Sequence, residues 1–269
     1  MADMKIGVVG AAGRMGGAVV RQVAATDGCM VVAACETHGS PAVGRDAGDL
    51  AGIGPIGVTV LDDAAALFQA ADAVVEFSIP AATIVHSGLA AAAGCIHVIG
   101  TTGLDAVQEA ALARAGEAAP VVYAPNMSLA VNVLFALTRQ VAALLDEDFD
   151  IEIVEMHHRH KTDAPSGTAL ALGRAAAAGR KVDLDAAGVF TRHGQTGARQ
   201  RGAIGFATLR GGDVTGDHSV IFAADGERLE LSHKSQSRQI FARGAVRAAL
   251  WARTVGPGLY SMQDVLGLE

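Results

Sequence analysis

Cysteine is scarce in this chain: three residues in 269, Cys29, Cys35 and Cys95, with no Cys-x-x-Cys pair and an odd count. That leaves no basis for a disulfide framework, and reduced thiols inside apolar runs are the expectation. Aromatic side chains make up only 4%, which disfavours an aromatic-lined binding sandwich. Positive charge is also short, since 21 basic residues face 28 acidic ones for a net charge of −7. No overall positive field exists to neutralise a phosphate backbone or an anionic membrane, so neither nucleic acid nor membrane is an expected partner. Long hydrophobic runs are missing as well: Leu89 to Ile99 is short, alanine-rich and interrupted by His97, well below the roughly 20 residues of a membrane helix. The chain passes from Met1 into the strand-like Ile6 to Val9 without a charged-then-apolar leader, which points to a cytoplasmic protein.

What is abundant is alanine, glycine and short β-branched runs in alternation. Lys5 to Val9, Met30 to Cys35, Ala73 to Phe77, His97 to Ile99 and Val121 to Tyr123 read as buried parallel strands. Between them, Arg14 to Ala25, Ala64 to Ala70, Thr83 to Ala93 and Leu104 to Ala115 read as helices. The repeated βαβ unit predicts an α/β fold with a doubly wound parallel sheet. Six glycines and two prolines between Thr37 and Gly57 predict a long loop. Beyond Asn126 the rhythm changes: a helix over Leu129 to Leu145, a strand over Asp150 to His157, and two runs, Asp217 to Ala224 and Glu227 to His233, joined by Asp225-Gly226 in hairpin fashion. Residues 1–127 are therefore expected to form one domain, completed by a C-terminal helical segment, 239–269. Residues 128–238 are expected to form a smaller α+β domain with a mixed sheet, for substrate binding and oligomerisation.

Directly after the first strand lies Gly10-Ala11-Ala12-Gly13-Arg14-Met15-Gly16, opening a helix. Glycines there let the backbone approach a pyrophosphate, and the helix's unpaired N–H groups stabilise its charge. Glu36 follows Gly16 by twenty residues at the end of the second strand, where an acid accepts hydrogen bonds from ribose hydroxyls. The pattern is that of a Rossmann-type dinucleotide site. Gly100-Thr101-Thr102-Gly103 and Ala124-Pro125-Asn126-Met127, at two later strand ends, offer small residues, amides and hydroxyls where a nicotinamide would lie, although a turn or a helix cap explains either segment alone.

The densest chemistry lies in Glu155 to Ala169, where His157, His158, Arg159, His160 and Lys161 are consecutive. If the strand continues, alternation puts His157 and Arg159 on one face and His158 and His160 on the other. Ser166, Gly167 and Thr168 open an alanine-rich helix, so their N–H groups would form an anion site beside the cations. Zinc binding competes weakly, with no cysteine nearby and no His-Glu-x-x-His helix. Capping by Asp163 or Ser166, with Pro165 in the first helical turn, is compatible with anion binding, and a solvated charged face remains open.

The run Glu155 to Ala169, together with the Gly10 to Gly16 loop, Gly100-Thr101-Thr102, Ala124 to Met127, Ser232-His233-Lys234 and Ser237-Arg238, resembles the 4-hydroxy-tetrahydrodipicolinate reductase family of the diaminopimelate route to lysine. The resemblance implies His157 as proton donor, Lys161 as a second acid, and His158 as a substrate contact. It also implies Gly167 and Thr168 as the grip on a substrate carboxylate. Gly10, Ala11, Ala12, Gly13, Arg14, Met15, Glu36, Gly100, Thr101, Thr102, Ala124, Pro125, Asn126 and Met127 would line the cofactor, with no metal. The implied substrate is a cyclic imine with two carboxylates bridging the two domains, and the implied assembly is a homotetramer. Many relatives follow the ribose acid with arginine. Here Thr37 and His38 follow Glu36, which predicts NADH over NADPH. Two alternatives stand beside this: another NAD(P)-dependent dehydrogenase of amino-dicarboxylates, and a non-catalytic NADH sensor.

Overall fold

A computed structural model describes residues 2–268. In chain order its elements are β1 (Met4–Val9), α1 (Arg14–Ala24), β2 (Cys29–Cys35), α2 (Ala47–Ala51), β3 (Val60–Leu61), α3 (Ala64–Ala70), β4 (Ala73–Glu76), α4 (Pro80–Ala93), β5 (Ile96–Ile99), α5 (Ala106–Gly116) and β6 (Pro120–Tyr123). Then follow α6 (Leu129–Leu144), β7 (Asp150–His157), α7 (Gly167–Arg180), α8 (Leu184–Ala187), β8 (Gly188–Val189), β9 (Ile204–Arg210), β10 (Gly216–Ala224), β11 (Glu227–Ser235), α9 (Gln239–Ala252), β12 (Gly258–Tyr260) and α10 (Met262–Leu266). One compact unit runs to Leu129 and resumes over Arg238–Leu268; the other is Ala130–Ser237.

The first unit is built on a seven-stranded parallel sheet, ordered β12-β6-β5-β4-β1-β2-β3. Its strands are runs of buried Ile and Val because both faces are covered. Ile6, Val8, Val75 and Val98 pack with Val19 and Val20 of α1 and Ala245, Val246 and Ala249 of α9. Their neighbours Val9 and Val74 point the other way, onto Leu67 and Phe68 of α3 and Ala90 of α4, while Ile99 and Val121 meet Leu112 of α5. The helix α9 thus lies in the core of this unit.

Several boundaries differ from the sequence expectation for local reasons. Helix α4 starts at Pro80, three residues before Thr83, because proline's fixed φ suits the first helical position. Helix α5 starts at Ala106 rather than Leu104, set by a capping box of Asp105 and Gln108. The segment expected as loop between Thr37 and Gly57 contains α2. It is ordered by Asp46, whose carboxylate accepts the N–H groups of Gly48, Asp49, Ile56, Gly57 and Val58.

In the second unit a five-stranded mixed sheet, ordered β11-β10-β7-β9-β8, is antiparallel at β10 with β11 and β7, and parallel at β9 with β7 and β8. One face packs Ile151, Ile153, Phe206, Val220 and Phe222 against Leu134 and Ala142 of α6 and Leu172 and Ala176 of α7. Alternate β7 residues are buried, so Ile151, Ile153, Glu155 and His157 share a face. Among the described residues no helix is long and apolar enough to cross a membrane.

Candidate functional site

Two constellations are built here, one in each unit. In the first, Gly10 takes φ +68° and so turns the chain out of β1 in a conformation that favours glycine. A Cβ on Gly16 would sit 2.0 Å from the Gly10 carbonyl oxygen, so only glycine lets α1 start this close to the loop. The N-cap, Gly13, makes no side-chain cap bond, and no acid lies in the first turn of α1. Its leading amides are thus left to an external acceptor, at an end that favours negative charge. Ala11 is buried; Ala12, Gly13 and Arg14 are exposed and Met15 half-buried. At the end of β2, Glu36 accepts the Ala12 N–H at 3.0 Å and the Thr37 N–H at 3.2 Å, which fixes the acid beside the glycine loop. Nearby, His38 is ion-paired with Asp62 at 2.7 Å. A glycine cradle, an uncapped helix start and an adjoining carboxylate fit a dinucleotide's pyrophosphate and ribose.

The other expected cofactor residues are less uniform. Gly100 leaves the space that the Phe77 ring fills, and Thr102 is exposed. Thr101 is buried, with its hydroxyl turned inward to accept from Ser78 N–H (3.1 Å) and Thr83 (2.9 Å). It joins a buried cluster around Glu76, which is bonded by Ser78, Thr83 (2.8 Å), His86 (3.2 Å) and His97 (2.7 Å). Burial would raise the Glu76 carboxyl, but the two histidines outweigh it and hold the group far below its ordinary range. Ala124 and Met127 are buried, Pro125 is exposed, and the Asn126 side chain accepts the Ser128 N–H at 2.9 Å. The hydroxyl of Thr101 and the whole Glu76 cluster had no sequence signal beyond a lone His97 in an apolar run.

In the second unit His157 closes β7, 8% exposed, and its Nδ1 lies 2.6 Å from Glu155 Oε2. Glu155 also accepts the Ser166 N–H (3.0 Å) and both terminal nitrogens of Arg210 (2.8 and 3.1 Å). Burial would raise the Glu155 carboxyl, yet the bonds from Arg210, His157 and Ser166 prevail and lower it. Ser166 is the N-cap of α7: its Oγ accepts the Ala169 N–H at 3.1 Å and lies 3.1 Å from His218 Nε2. The His218 ring stands edge-on to His157 with centroids 5.1 Å apart. Burial, assisted by the charge of His157, pushes His218 down to about 4, so it is neutral at pH 7. Gly167 and Thr168 form the first turn of α7, exposed and half-buried respectively. Lys161 is ion-paired with Asp163 at 2.7 Å, and that pair holds the Asp163 carboxyl below its usual range.

Two expectations need correction. The strand ends at His157, so the alternation stops there: Arg159 and His160 are exposed, and only His157 turns to the buried face. The chain instead enters a loop in which the N–H groups of His158 and Arg159 donate to Val214 and Gly212. Pro165 lies before the cap rather than in the first helical turn, because Ser166 takes the N-cap position. Of the two capping candidates Ser166 caps α7, while Asp163 serves Lys161. Among the described residues no group of three or more His, Cys, Asp and Glu side chains could hold a metal ion. Sequence reasoning left Glu155, Arg210 and His218 without roles. The spacing of Glu155 and His157, two apart on an alternating strand, was the available signal for the first of these.

Comparison with known proteins agrees across both units. Residues 4–127 match the family described as dihydrodipicolinate reductase, N-terminus, and residues 130–266 the family described as dihydrodipicolinate reductase, C-terminus. The 4-hydroxy-tetrahydrodipicolinate reductase of Agrobacterium fabrum (strain C58) is 57% identical over 267 residues, covering 99% of this chain and 97% of its own. That of Chelativorans sp. (strain BNC1) is 58% identical over 268 residues, with the same coverages, 99% and 97%. Among solved structures, dipicolinate-bound dihydrodipicolinate reductase from Paenisporosarcina sp. TG-14 superposes with a TM-score of 0.75 at 22% identity, over 97% of this chain and 98% of that one. An amine dehydrogenase from Mycobacterium smegmatis shares the fold at a TM-score of 0.60 and 14% identity, over 97% and 95%.

A glycine-cradled parallel sheet carrying a second, mixed-sheet unit, in a chain with such relatives, defines a nicotinamide-dependent oxidoreductase. Within that class the chain belongs to the dihydrodipicolinate reductase family.

Proposed function

We propose that this chain reduces 4-hydroxy-tetrahydrodipicolinate to tetrahydrodipicolinate in the diaminopimelate route to lysine. The observation that carries this is the pairing of a pinned, nearly buried histidine, His157, with the Ser166-capped start of α7, so that a proton source and an anion-binding helix end meet in one unit. Reduced nicotinamide supplies a hydride. The substrate loses water and accepts that hydride at C4, negative charge moves toward the ring nitrogen and the adjacent carbon, and a proton must neutralise it. His157 donates that proton from Nε2, and Lys161 assists once a substrate carboxylate competes with Asp163 for its ammonium. The amides of Gly167 and Thr168 hold a carboxylate at the positive end of α7, and His158 contacts the ring.

NADH is the preferred cofactor in this reading. Glu36 is followed by Thr37 and His38 rather than by arginine, and His38 is already engaged by Asp62, so a 2′-phosphate lacks its best partner directly after the ribose acid, with Arg14 as a partial substitute. A kcat/KM for NADPH well above that for NADH overturns this part. A homotetramer formed through the second unit is supported by β11, an edge strand with Leu229 42% exposed, and light scattering on the eluting protein tests it. The site of action is the cytoplasm.

The main test follows NADH absorbance after mixing the protein with substrate made in place from pyruvate and aspartate semialdehyde. Consumption that pyridine-2,6-dicarboxylate inhibits supports the reductase, and turnover of amino-dicarboxylates instead supports the dehydrogenase alternative. His157→Gln and Lys161→Ala each lower kcat by about 10² to 10⁴. Near-normal turnover in both removes the acid role from these side chains.

A further inference from the structure

Glu155 has no part in the chemistry just described, yet its carboxylate is only 1% exposed and fully engaged. Oε2 takes His157 and one Arg210 nitrogen; Oε1 takes the other Arg210 nitrogen and the Ser166 amide. With both oxygens doubly occupied, Glu155 has no lone pair to offer substrate, and being ionised it can only accept. The hydrogen shared with His157 therefore sits on Nδ1, which leaves Nε2 as the nitrogen that takes up and releases a proton.

We propose that Glu155 is a positioning residue that fixes the ring and tautomer of His157, and that Arg210 tunes the pair by holding Glu155 ionised. The proposal rests on the reading of His157 as proton donor. Titratable and charged groups surround the pair from several elements. Glu155 and His157 lie on β7, Arg210 at the end of β9, His218 on β10, His233 on β11, and Lys161 and Asp163 in the loop after β7. His218 and His233 are both pushed toward neutrality by burial, so the fixed positive charges near the pair are Arg210 and Lys161, the latter balanced by Asp163. Ser166 links the pair to the start of α7, because its amide bonds Glu155 while its hydroxyl caps the helix.

Two variants separate charge from scaffolding. Glu155→Gln keeps shape and removes the negative charge. It lowers kcat, and because activity needs His157 protonated, the falling limb of kcat against pH moves to lower pH by about 1 to 3 units. Arg210→Met removes the opposing positive charge and moves the same limb upward. KM for NADH stays unchanged in both. A merely structural role lowers activity in both variants without moving the limb in opposite directions. Equal limbs in Glu155→Gln and the starting protein, or limbs displaced the same way in both variants, overturn the proposal.

A substrate-free measurement stands independently: ¹⁵N imidazole spectra, with His157 assigned by its loss in His157→Gln, show the Nδ1–H tautomer in the neutral form. An Nε2–H tautomer there refutes the pairing even if Glu155→Gln fails to fold. If the protein does not reduce the cyclic imine at all, the functional reading fails while these spectra still decide the role of Glu155.

Discussion

A histidine can deliver a proton only from a nitrogen that has room around it, and at His157 that room is made by a missing side chain. A Cβ on Gly216 would stand 2.9 Å from His157 Nε2. Swinging the ring aside would break the bond from Nδ1 to Glu155. Gly216→Ala is therefore expected to fold, since Gly216 only begins β10, and to lower kcat by about 10- to 100-fold through displacement of the imidazole. Steady-state kinetics beside a circular-dichroism melt checks this; unchanged kcat shows that Nε2 does not need that space. At this scale the sequence revealed residues contiguous in the chain, His157 to Thr168, since their types and order carry the chemistry. Arg210 and His218 reach the same site from 55 and 52 residues beyond Glu155 and Ser166, on strands whose pairing no local pattern records.

Strands were legible where the pattern was unbroken. Five strands of the parallel sheet show as continuous apolar runs and the Asp225-Gly226 hairpin as alternation about a turn. By contrast β3 and β8 have two residues each and β12 three, too few for any alternation to appear. Strand β9 is masked by Gly205 and by three consecutive exposed residues after its buried start. The C-terminal helix was expected to complete the first domain, but where α9 sits within that unit could not be read, since an apolar stripe names no partner. Its seat is set by Gly244, where a Cβ would lie 1.7 Å from the carbonyl oxygen of Met127. That is closer than atoms can approach, so Gly244→Ala must push α9 away from the chain leaving β6. We expect a loss of about 1 to 3 kcal/mol, read as a lower urea midpoint, and a midpoint unchanged within error contradicts this contact.

Taken whole, the molecule should be sensitive to acid in two steps. His218 has its pKa lowered to about 4 by burial and by His157, whereas its ordinary value is 6.5. Between those values the unfolded chain binds the proton and the folded one does not, so stability falls as pH drops from 6.5 to 4, by about 3 kcal/mol for this group. Glu76 and Glu155 are depressed below their ordinary 4.5, so the stability they contribute is present above that pH and drains away below it. Urea unfolding across pH 7 to 3 should show both stages, and His218→Gln should flatten the first while leaving the second. Equal slopes in the two proteins between pH 6.5 and 4 would disprove the assignment to His218.

The inserted second unit also orders events in time. Strand β12 and helix α9 are made only after Ala130–Ser237 has been synthesised, yet they belong to the sheet and core begun by β1. During synthesis, then, the second unit is complete in sequence while the first still waits with α1 and β6 uncovered. A nascent chain halted near Gln239 would leave that apolar surface bare, which makes this interval the one at which a chaperone has most to shield.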